Sequence, residues 1–316
     1  MTAVRAELHV HLLGAIPPAT LLELARRHRV ALPAEDEAGL REWFRFRDFD
    51  HFQETITTMS AVIREADDLE LITYAYACEL HRQGVRYAEV MISPTGLERR
   101  GMGFPVWLEA MNRGRSRATA ELGLELRWIV ELNRVLPESE RAYWADRVVE
   151  AAIAGRDAGV VALGLSGSEA GHPPEPFAPW FDRARAAGLH SVPHAGELAG
   201  PASIWGAVDA LHAERIAHGV RAVEDPALVA HLAERAIVLD TCPTSNVCLG
   251  VYPSLAGHPL RRLHESGVPV TVNSDDPTMF ATTLDAEIAA LTGPLGLDDD
   301  AAREIVANGP RYGFAS

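Results

Sequence analysis

The feature of the sequence that most constrains the fold is a regular alternation of short apolar segments with longer amphipathic ones. Helical patterns such as Asp225–Ala236, which opens with an Asp-Pro pair, and Glu175–Gly188, which ends on a glycine, separate the apolar segments. Eight strands that largely alternate with helices predict a parallel (β/α)8 barrel of the α/β class. The candidate strands are Glu7–Leu12, Tyr87–Ser93, Leu124–Leu132, Val160–Gly167, His190–Gly196, Arg215–Val220, Ile237–Pro243 and Pro269–Asp275.

The connection between the first two candidate strands is longer than a single crossover requires. Its helical pattern within about residues 17–78 predicts additional helices that cap the C-terminal mouth of the barrel. The chain has 316 residues, a length at which α/β barrels commonly form one domain. No repeat, low-complexity segment or linker interrupts it, so we expect a single domain over residues 1–316.

Charge and composition exclude several classes of partner. The formal net charge of −15 argues against nucleic-acid polymers and anionic membrane surfaces. No run of 18 or more apolar residues predicts a membrane span, and no signal peptide is recognisable. The three cysteines are too few for a disulfide framework, so we expect a cytoplasmic protein. These features leave its oligomeric state undetermined.

The chain contains no lysine, since all 29 basic residues are arginines. A lysine Schiff base with a carbonyl substrate or with pyridoxal phosphate is therefore impossible. A carbamylated lysine that bridges two metal ions is impossible for the same reason.

Two histidines stand one residue apart in the apolar stretch "ELHVHLLGA". On a strand, His9 and His11 would face the same side and could bind one metal ion together. By themselves they could equally be polar residues of the core or surface.

Further polar residues stand where three later candidate strands end. His194 and Glu197 lie in "SVPHAGE", His218 in "RIAHGV", and Asp275 and Asp276 in "VTVNSDDP". The active sites of α/β barrels lie at this face, so we expect these side chains to meet.

Three imidazoles and one carboxylate are standard ligands of a single zinc ion that keeps one position open. We therefore predict one Zn²⁺ per chain, with Glu197 as proton donor, His218 as the base that activates water, and Asp276 as a substrate contact. The predicted metal ligands are His9, His11, His194 and Asp275.

Structural roles are possible for each of these residues alone. His218 could be a core histidine, Asp276 a helix cap and Glu197 a surface residue. Other catalytic motifs are missing: there is no HExxH, "GLSGS" departs from GxSxG, and the Pro-Cys-x-x-Cys pattern is absent. The remaining histidines, such as His28, His51 and His231, are expected to face solvent or to pack.

Taken together, these segments resemble the adenosine deaminase family of the amidohydrolase superfamily. The resemblance covers nearly the whole chain in the expected order. It implies a (β/α)8 barrel with one zinc ion that hydrolytically removes the 6-amino group of an adenine-type ring as ammonia. The matching segments are "AELHVHLLGA", "RYAEV", "GSE", "HAGE", "RIAHGV", "CPTSN" and "NSDDP".

Carried over residue by residue, the resemblance implies the same four zinc ligands. Glu197 would protonate ring N1, and it would need a pKa raised by burial. His218 and Asp275 would hold and activate the water. Asp276 would face ring N7, and the backbone of Gly167 would approach ring N3. The expected substrate-binding residues are His11, Leu13, Gly167 and Asp276.

The sequence also departs from the family pattern, which affects the expected substrate. The common "DLAGDE" segment reads "GLSGSE", so Gly164 and Ser168 replace two acids. Leu13 stands where many adenosine-specific members carry aspartate and many adenine deaminases carry glutamate. The expected substrate is adenosine or a 5′-modified adenosine, and the alternatives are free adenine and aminodeoxyfutalosine. A non-catalytic purine-binding protein is the alternative outside the enzymes.

Overall fold

The computed structural model describes residues 4–314, and within them eight parallel strands follow one another in chain order around one sheet. All eight strands expected from the sequence are present, so the predicted fold class is confirmed. The bounds differ by a few residues, most at the last strand, which pairs over three residues only. The strands are β1 (Arg5–His11), β2 (Val85–Ile92), β3 (Glu125–Asn133), β4 (Val160–Ser166), β5 (His190–Ala195), β6 (Arg215–His218), β7 (Val238–Thr241) and β8 (Val270–Val272).

The barrel closes between β1 and the segment that follows β8. The backbone N–H of His11 donates to the carbonyl oxygen of Asp275 (2.9 Å), and the N–H of Asp275 donates to the carbonyl oxygen of His9 (3.0 Å). Because the strands are all parallel, their carboxyl ends meet at one face. The closing hydrogen bonds therefore join the backbones of three predicted metal ligands.

Helices surround the sheet, and the fully buried Trp107 and Trp128 lie in the apolar layer between them. No described helix is long and apolar enough to cross a membrane. The α-helices of residues 4–314 are α1 (Pro18–His28), α2 (Glu37–Trp43), α3 (Phe49–Ser60), α4 (Ala66–Arg82), α5 (Thr95–Arg99), α6 (Val106–Leu122), α7 (Glu138–Ala154), α8 (Ala178–Ala186), α9 (Pro201–Leu211), α10 (Pro226–Arg235), α11 (Pro243–Cys248), α12 (Leu260–Glu265), α13 (Leu284–Thr292) and α14 (Asp299–Tyr312).

The two helices predicted from their end signals form as expected. The side chain of Asp225 caps α10 by accepting from the backbone N–H groups of Ala227 and Leu228. The segment that ends at Gly188 begins as a short 3-10 turn, Glu175–Phe177, and continues as α8. Local sequence signals therefore set these boundaries.

The long connection after β1 divides into two parts. α4 packs against α6 and β2, so it serves as the crossover helix between β1 and β2. α3 instead lines the mouth of the barrel through Phe49, Phe52 and Ile56. The single domain over residues 1–316 stays a prediction, and residues 1–3 and 315–316 lie outside the described part of the chain.

Candidate active site

The four predicted metal ligands converge at the carboxyl ends of the strands. One donor atom from each lies within 4.8 Å of the others. Oδ1 of Asp275 is 3.3 Å from Nε2 of His9 and 3.4 Å from Nε2 of His11. Nε2 of His11 is 3.2 Å from Nε2 of His194. Three imidazole nitrogens and a carboxylate oxygen thus point toward one small volume.

The hydrogen bonding of His9 tests whether these residues fit a metal ion. Nδ1 of His9 lies 3.1 Å from the backbone oxygen of Asp240, which can only accept, so the ring proton is on Nδ1. Nε2 of His9 is buried and has no hydrogen-bond partner. A buried nitrogen lone pair without a donor is costly unless a cation occupies the site. The donor set therefore fits a divalent metal such as zinc.

Glu197 lies beside this donor set after β5 and is almost fully buried. Its Oε2 is 3.6 Å from Nε2 of His218, and its Oε1 is buried without a hydrogen-bond partner. Burial, and next the negative charge of Asp275, raise the pKa of the Glu197 carboxyl well above its ordinary value. A carboxyl that stays protonated near neutral pH can donate a proton to a ligand.

The loop that carries Glu197 is held by a second carboxylate, Glu169. Its Oε1 accepts from the backbone N–H groups of Glu197 and Leu198 (both 2.8 Å), and its Oε2 accepts from that of Gly196 (2.8 Å). Ser203 also donates to this carboxylate. Several charge-assisted hydrogen bonds on one acceptor fix the backbone from which Glu197 projects.

His218 ends β6 with a left-handed backbone conformation (φ 68°), which is uncommon for a residue other than glycine. Oδ1 of Asn246 contacts Nε2 of His258 at 3.1 Å, which orients the Asn246 amide so that Nδ2 donates to Nδ1 of His218 at 3.2 Å. The ring proton of His218 then lies on Nε2, which faces the site. Burial, and next the neighbouring His9, lower the pKa of His218 to about 3, so the ring is neutral.

Asp276 is buried next to the predicted ligand Asp275, and its Oδ1 has no hydrogen-bond partner. Burial and the charge of Asp275 raise the pKa of Asp276 well above its ordinary value. Gly14 packs directly against this side chain, and a Cβ there would clash with the carboxyl group. The glycine therefore leaves the space in which Asp276 reaches the site.

These side chains open into one pocket that is also lined by apolar residues and by polar ones such as Gln53, Ser60 and Arg100. Gly167 lies on its wall with φ 98°, and a Cβ there would lie 3.2 Å from Oδ1 of Asn133. Leu13 lines the same pocket and is half-buried. The pocket lining thus contains His11, Leu13, Gly167, His194, Glu197, His218, Asp275 and Asp276, together with Phe49, Phe52, Ile56, Ile63 and Leu97.

Several residues that contact the predicted site were not assigned from the sequence. Glu131 faces two of the histidines, and Ser245 donates to Oδ2 of Asp275 (2.6 Å). Glu131 stands near the end of the third candidate strand, the same kind of position that identified Asp275, whereas Asp240 lies within the seventh candidate strand. Asn246 and Glu169 lie in segments used for the family resemblance, but their roles depend on contacts with distant parts of the chain.

Comparison with known proteins gives a consistent family. The adenosine deaminase family profile matches residues 5–316. The aminodeoxyfutalosine deaminase of Streptomyces coelicolor is 42% identical over 315 residues, which cover 98% of this chain and 80% of that protein. These matches extend over nearly the whole chain rather than over isolated motifs.

Solved structures agree with this relationship. An adenine deaminase from Arthrobacter aurescens matches with a TM-score of 0.92 at 33% identity, covering 100% of this chain and 95% of its own. A zinc-bound amidohydrolase from Burkholderia ambifaria matches with a TM-score of 0.88 at 28% identity, covering 99% of this chain and 86% of its own. The expectation of a metal-dependent hydrolytic deaminase is confirmed at the level of the family, and the chain belongs to the adenosine deaminase family.

Proposed function

We propose that the protein hydrolyses the 6-amino group of a 6-aminopurine nucleoside, adenosine or a 5′-modified adenosine, with one zinc ion per chain. The observation that carries this proposal is a pair of buried carboxyl oxygens without partners, Oε1 of Glu197 and Oδ1 of Asp276. Both residues line the pocket that contains the metal-ligand set. Two carboxyl groups with raised pKa values lie beside the metal-ligand set, and each can donate a hydrogen bond in its protonated form. An uncharged heterocycle with several ring nitrogens would accept these hydrogen bonds.

The four ligands His9, His11, His194 and Asp275 would hold the zinc ion. When bound, zinc lowers the pKa of water from 15.7 toward ~7 and so supplies a nucleophile near neutral pH. The Nε2–H of His218 points toward Oδ2 of Asp275 across 3.9 Å. In this tautomer Nδ1 of His218 already accepts from Asn246, so His218 donates a hydrogen bond to the attacking water instead of acting as the base expected from the sequence. Asp275 accepts the proton of the water on the other side. We therefore propose that the two residues together hold and activate the water.

The remaining residues orient the purine ring. Protonated Glu197 donates to ring N1, which weakens the aromatic C6–N1 bond as water attacks C6. Protonated Asp276 donates to ring N7, a nitrogen that can only accept. Gly167, which has no side chain, allows its backbone to approach ring N3. Asp275 then returns the proton it took from the water to the amino group, which leaves C6 as ammonia. The C6 hydroxyl gives its proton back to Glu197 as the 6-oxo group forms, so both carboxyl groups regain their starting state.

Residues at the mouth of the pocket would contact the ribose and its 5′ substituent. Leu13 there cannot accept a hydrogen bond from a ribose hydroxyl, and Phe49 and Ile56 add apolar surface. These contacts favour a nucleoside whose 5′ substituent is apolar or absent. Aminodeoxyfutalosine and free adenine remain second candidates, because relatives with these specificities match almost the whole chain.

One ultraviolet assay can test the proposal directly. The purified protein is incubated with adenine, adenosine, 5′-deoxyadenosine, methylthioadenosine and aminodeoxyfutalosine, and conversion of the 6-amino to the 6-oxo chromophore is followed together with ammonia release. Turnover of adenosine, 5′-deoxyadenosine or methylthioadenosine above that of adenine and of aminodeoxyfutalosine supports the proposal. Tight binding of these compounds without any turnover would instead support a non-catalytic purine-binding protein.

Leu13 gives a prediction about specificity. The native protein is expected to act on 5′-deoxyadenosine and methylthioadenosine with a kcat/KM at least equal to that for adenosine. A buried 5′-hydroxyl without a partner costs ~1–3 kcal/mol, so Leu13→Asp should raise the relative kcat/KM for adenosine on the order of 10-fold. The three kcat/KM values measured in both proteins check this.

The control for this prediction is Leu13→Met, which keeps an apolar side chain of similar size and should leave the ratio of the three substrates unchanged. A native protein that strongly prefers adenosine, with a ratio that Leu13→Asp does not alter, would contradict the assignment. Leu13 would then be only a packing residue under the helices of the mouth.

A further inference from the structure

Glu131, on β3, is fully buried and faces two of the four proposed metal ligands at once. Its Oε2 is 3.3 Å from Nδ1 of His11. Its Oε1 is 3.5 Å from Nδ1 of His194, a close charge contact and not a hydrogen bond, and these two buried atoms have no other partner among the described residues. Its one other side-chain partner among the described residues is Ser93, whose hydroxyl donates to Oε2 at 2.9 Å. One carboxylate thus lies behind both imidazoles, on the side away from the proposed metal.

The two rings turn their other nitrogens toward each other and toward the metal position. Nε2 of His11 and Nε2 of His194 are 3.2 Å apart. A neutral imidazole has one N–H, and an ionised carboxylate can only accept. Glu131 therefore favours the proton on Nδ1 in both rings and leaves both Nε2 lone pairs free for a metal. For His9, the backbone oxygen of Asp240 has the same effect.

The neighbouring strand is adapted to this side chain. Gly164 on β4 pairs in register with Glu131 on β3. A Cβ at Gly164 would lie 3.0 Å from Cγ of Glu131, 3.2 Å from Cγ2 of Ile129 and 3.3 Å from the backbone oxygen of Val192, so the side chain of Glu131 is its nearest neighbour. Gly164 is also the position where the resembling "DLAGDE" segment has an acid. In this chain the glycine makes room, and the buried acid comes from the adjacent strand instead.

We propose that Glu131 is a positioning residue of the metal site, which fixes the ring orientation and tautomer of both His11 and His194, and that Gly164 is the small residue that permits it. The inference rests on the proposed metal site. It concerns how tightly and in what geometry the protein binds metal, rather than which purine it deaminates.

The test measures metal affinity directly, by competition of the purified protein with a chromogenic chelator. Glu131→Gln keeps the shape of the side chain, but its amide group can accept from only one of the two Nδ1–H groups and opposes the other. We expect zinc affinity to fall by ~10–100-fold, as is typical when a hydrogen-bond partner of a metal-bound histidine is lost. The visible spectrum of the Co²⁺ form should change as well, since the ligand geometry changes.

Two further variants separate positioning from general stability. Ser93→Ala removes the other partner of Glu131 but leaves both histidine contacts, so metal affinity should stay within a few-fold of native. Glu131→Ala combined with Gly164→Asp moves the acid to the neighbouring strand and should bind zinc more tightly than Glu131→Ala alone.

The possible outcomes are distinct. A Glu131→Gln protein that binds zinc as tightly as native, with an unchanged Co²⁺ spectrum, would overturn the inference even if its apoprotein were less stable. A native protein that binds no divalent metal would instead overturn the proposed function. Lower affinity in Glu131→Gln with native-like affinity in Ser93→Ala supports the positioning role.

Discussion

Glu197→Gln is expected to lower kcat by ~10²–10⁴-fold while the protein keeps its bound metal, because removing a general acid typically costs this much. Glutamine has nearly the same shape, but it has no ionisable proton to give to ring N1. Burial keeps the native carboxyl protonated, so the loss should appear across the neutral pH range. Steady-state kinetics on the best purine substrate, together with metal analysis of the variant, measure the two quantities.

The control for this experiment is Glu265→Gln. Glu265 is half-exposed and forms an i,i+4 ion pair with Arg261 on α12, an interaction worth only ~0.3–0.5 kcal/mol. This variant should keep native kcat and native metal content. The acid role of Glu197 would be refuted by a Glu197→Gln protein with near-normal turnover, since protonation of ring N1 would then not depend on the Glu197 carboxyl.

Removal of the metal is expected to abolish turnover and to destabilise the fold. Without a cation, the buried carboxylate of Asp275 and the free Nε2 of His9 lose the partner that compensates their burial. At a free metal concentration about 1,000-fold above Kd, binding adds ~4 kcal/mol to the free energy of unfolding. Chelator-treated protein should therefore melt at lower temperature, and about one equivalent of Zn²⁺ should restore both activity and melting temperature.

Histidine variants test which side chains hold this metal. His9→Ala should bind well under one equivalent, whereas His264→Gln, on α12 away from the pocket, should bind as the native protein does. His218→Ala should also keep its metal, since it is not one of the proposed ligands. Two bound equivalents per native chain would contradict the single-ion assignment.

The sequence alone was sufficient for the architecture, and it predicted which polar residues would come together at the candidate site. Alternating apolar and amphipathic segments are local signals, and they predict eight strands whatever their final partners. In a parallel barrel the polar residues that end those strands must share one face, so His194 and Asp275 could be grouped although 80 residues separate them. Side-chain chemistry then indicated a zinc ligand set.

Only the tertiary structure decided how those residues are held. Glu131 contacts His11 across the barrel interior, and His258 orients Asn246, which in turn contacts His218. None of these contacts has a fixed sequence spacing. The tautomers follow from such contacts, because a ring proton goes to the nitrogen that faces an acceptor, as in His9, or stays away from the nitrogen that faces a donor, as in His218. The pKa of Glu197 depends on burial, which exists only once the surrounding segments have packed around it. The residue types were therefore readable from the chain, whereas their protonation and orientation are properties of the assembled barrel.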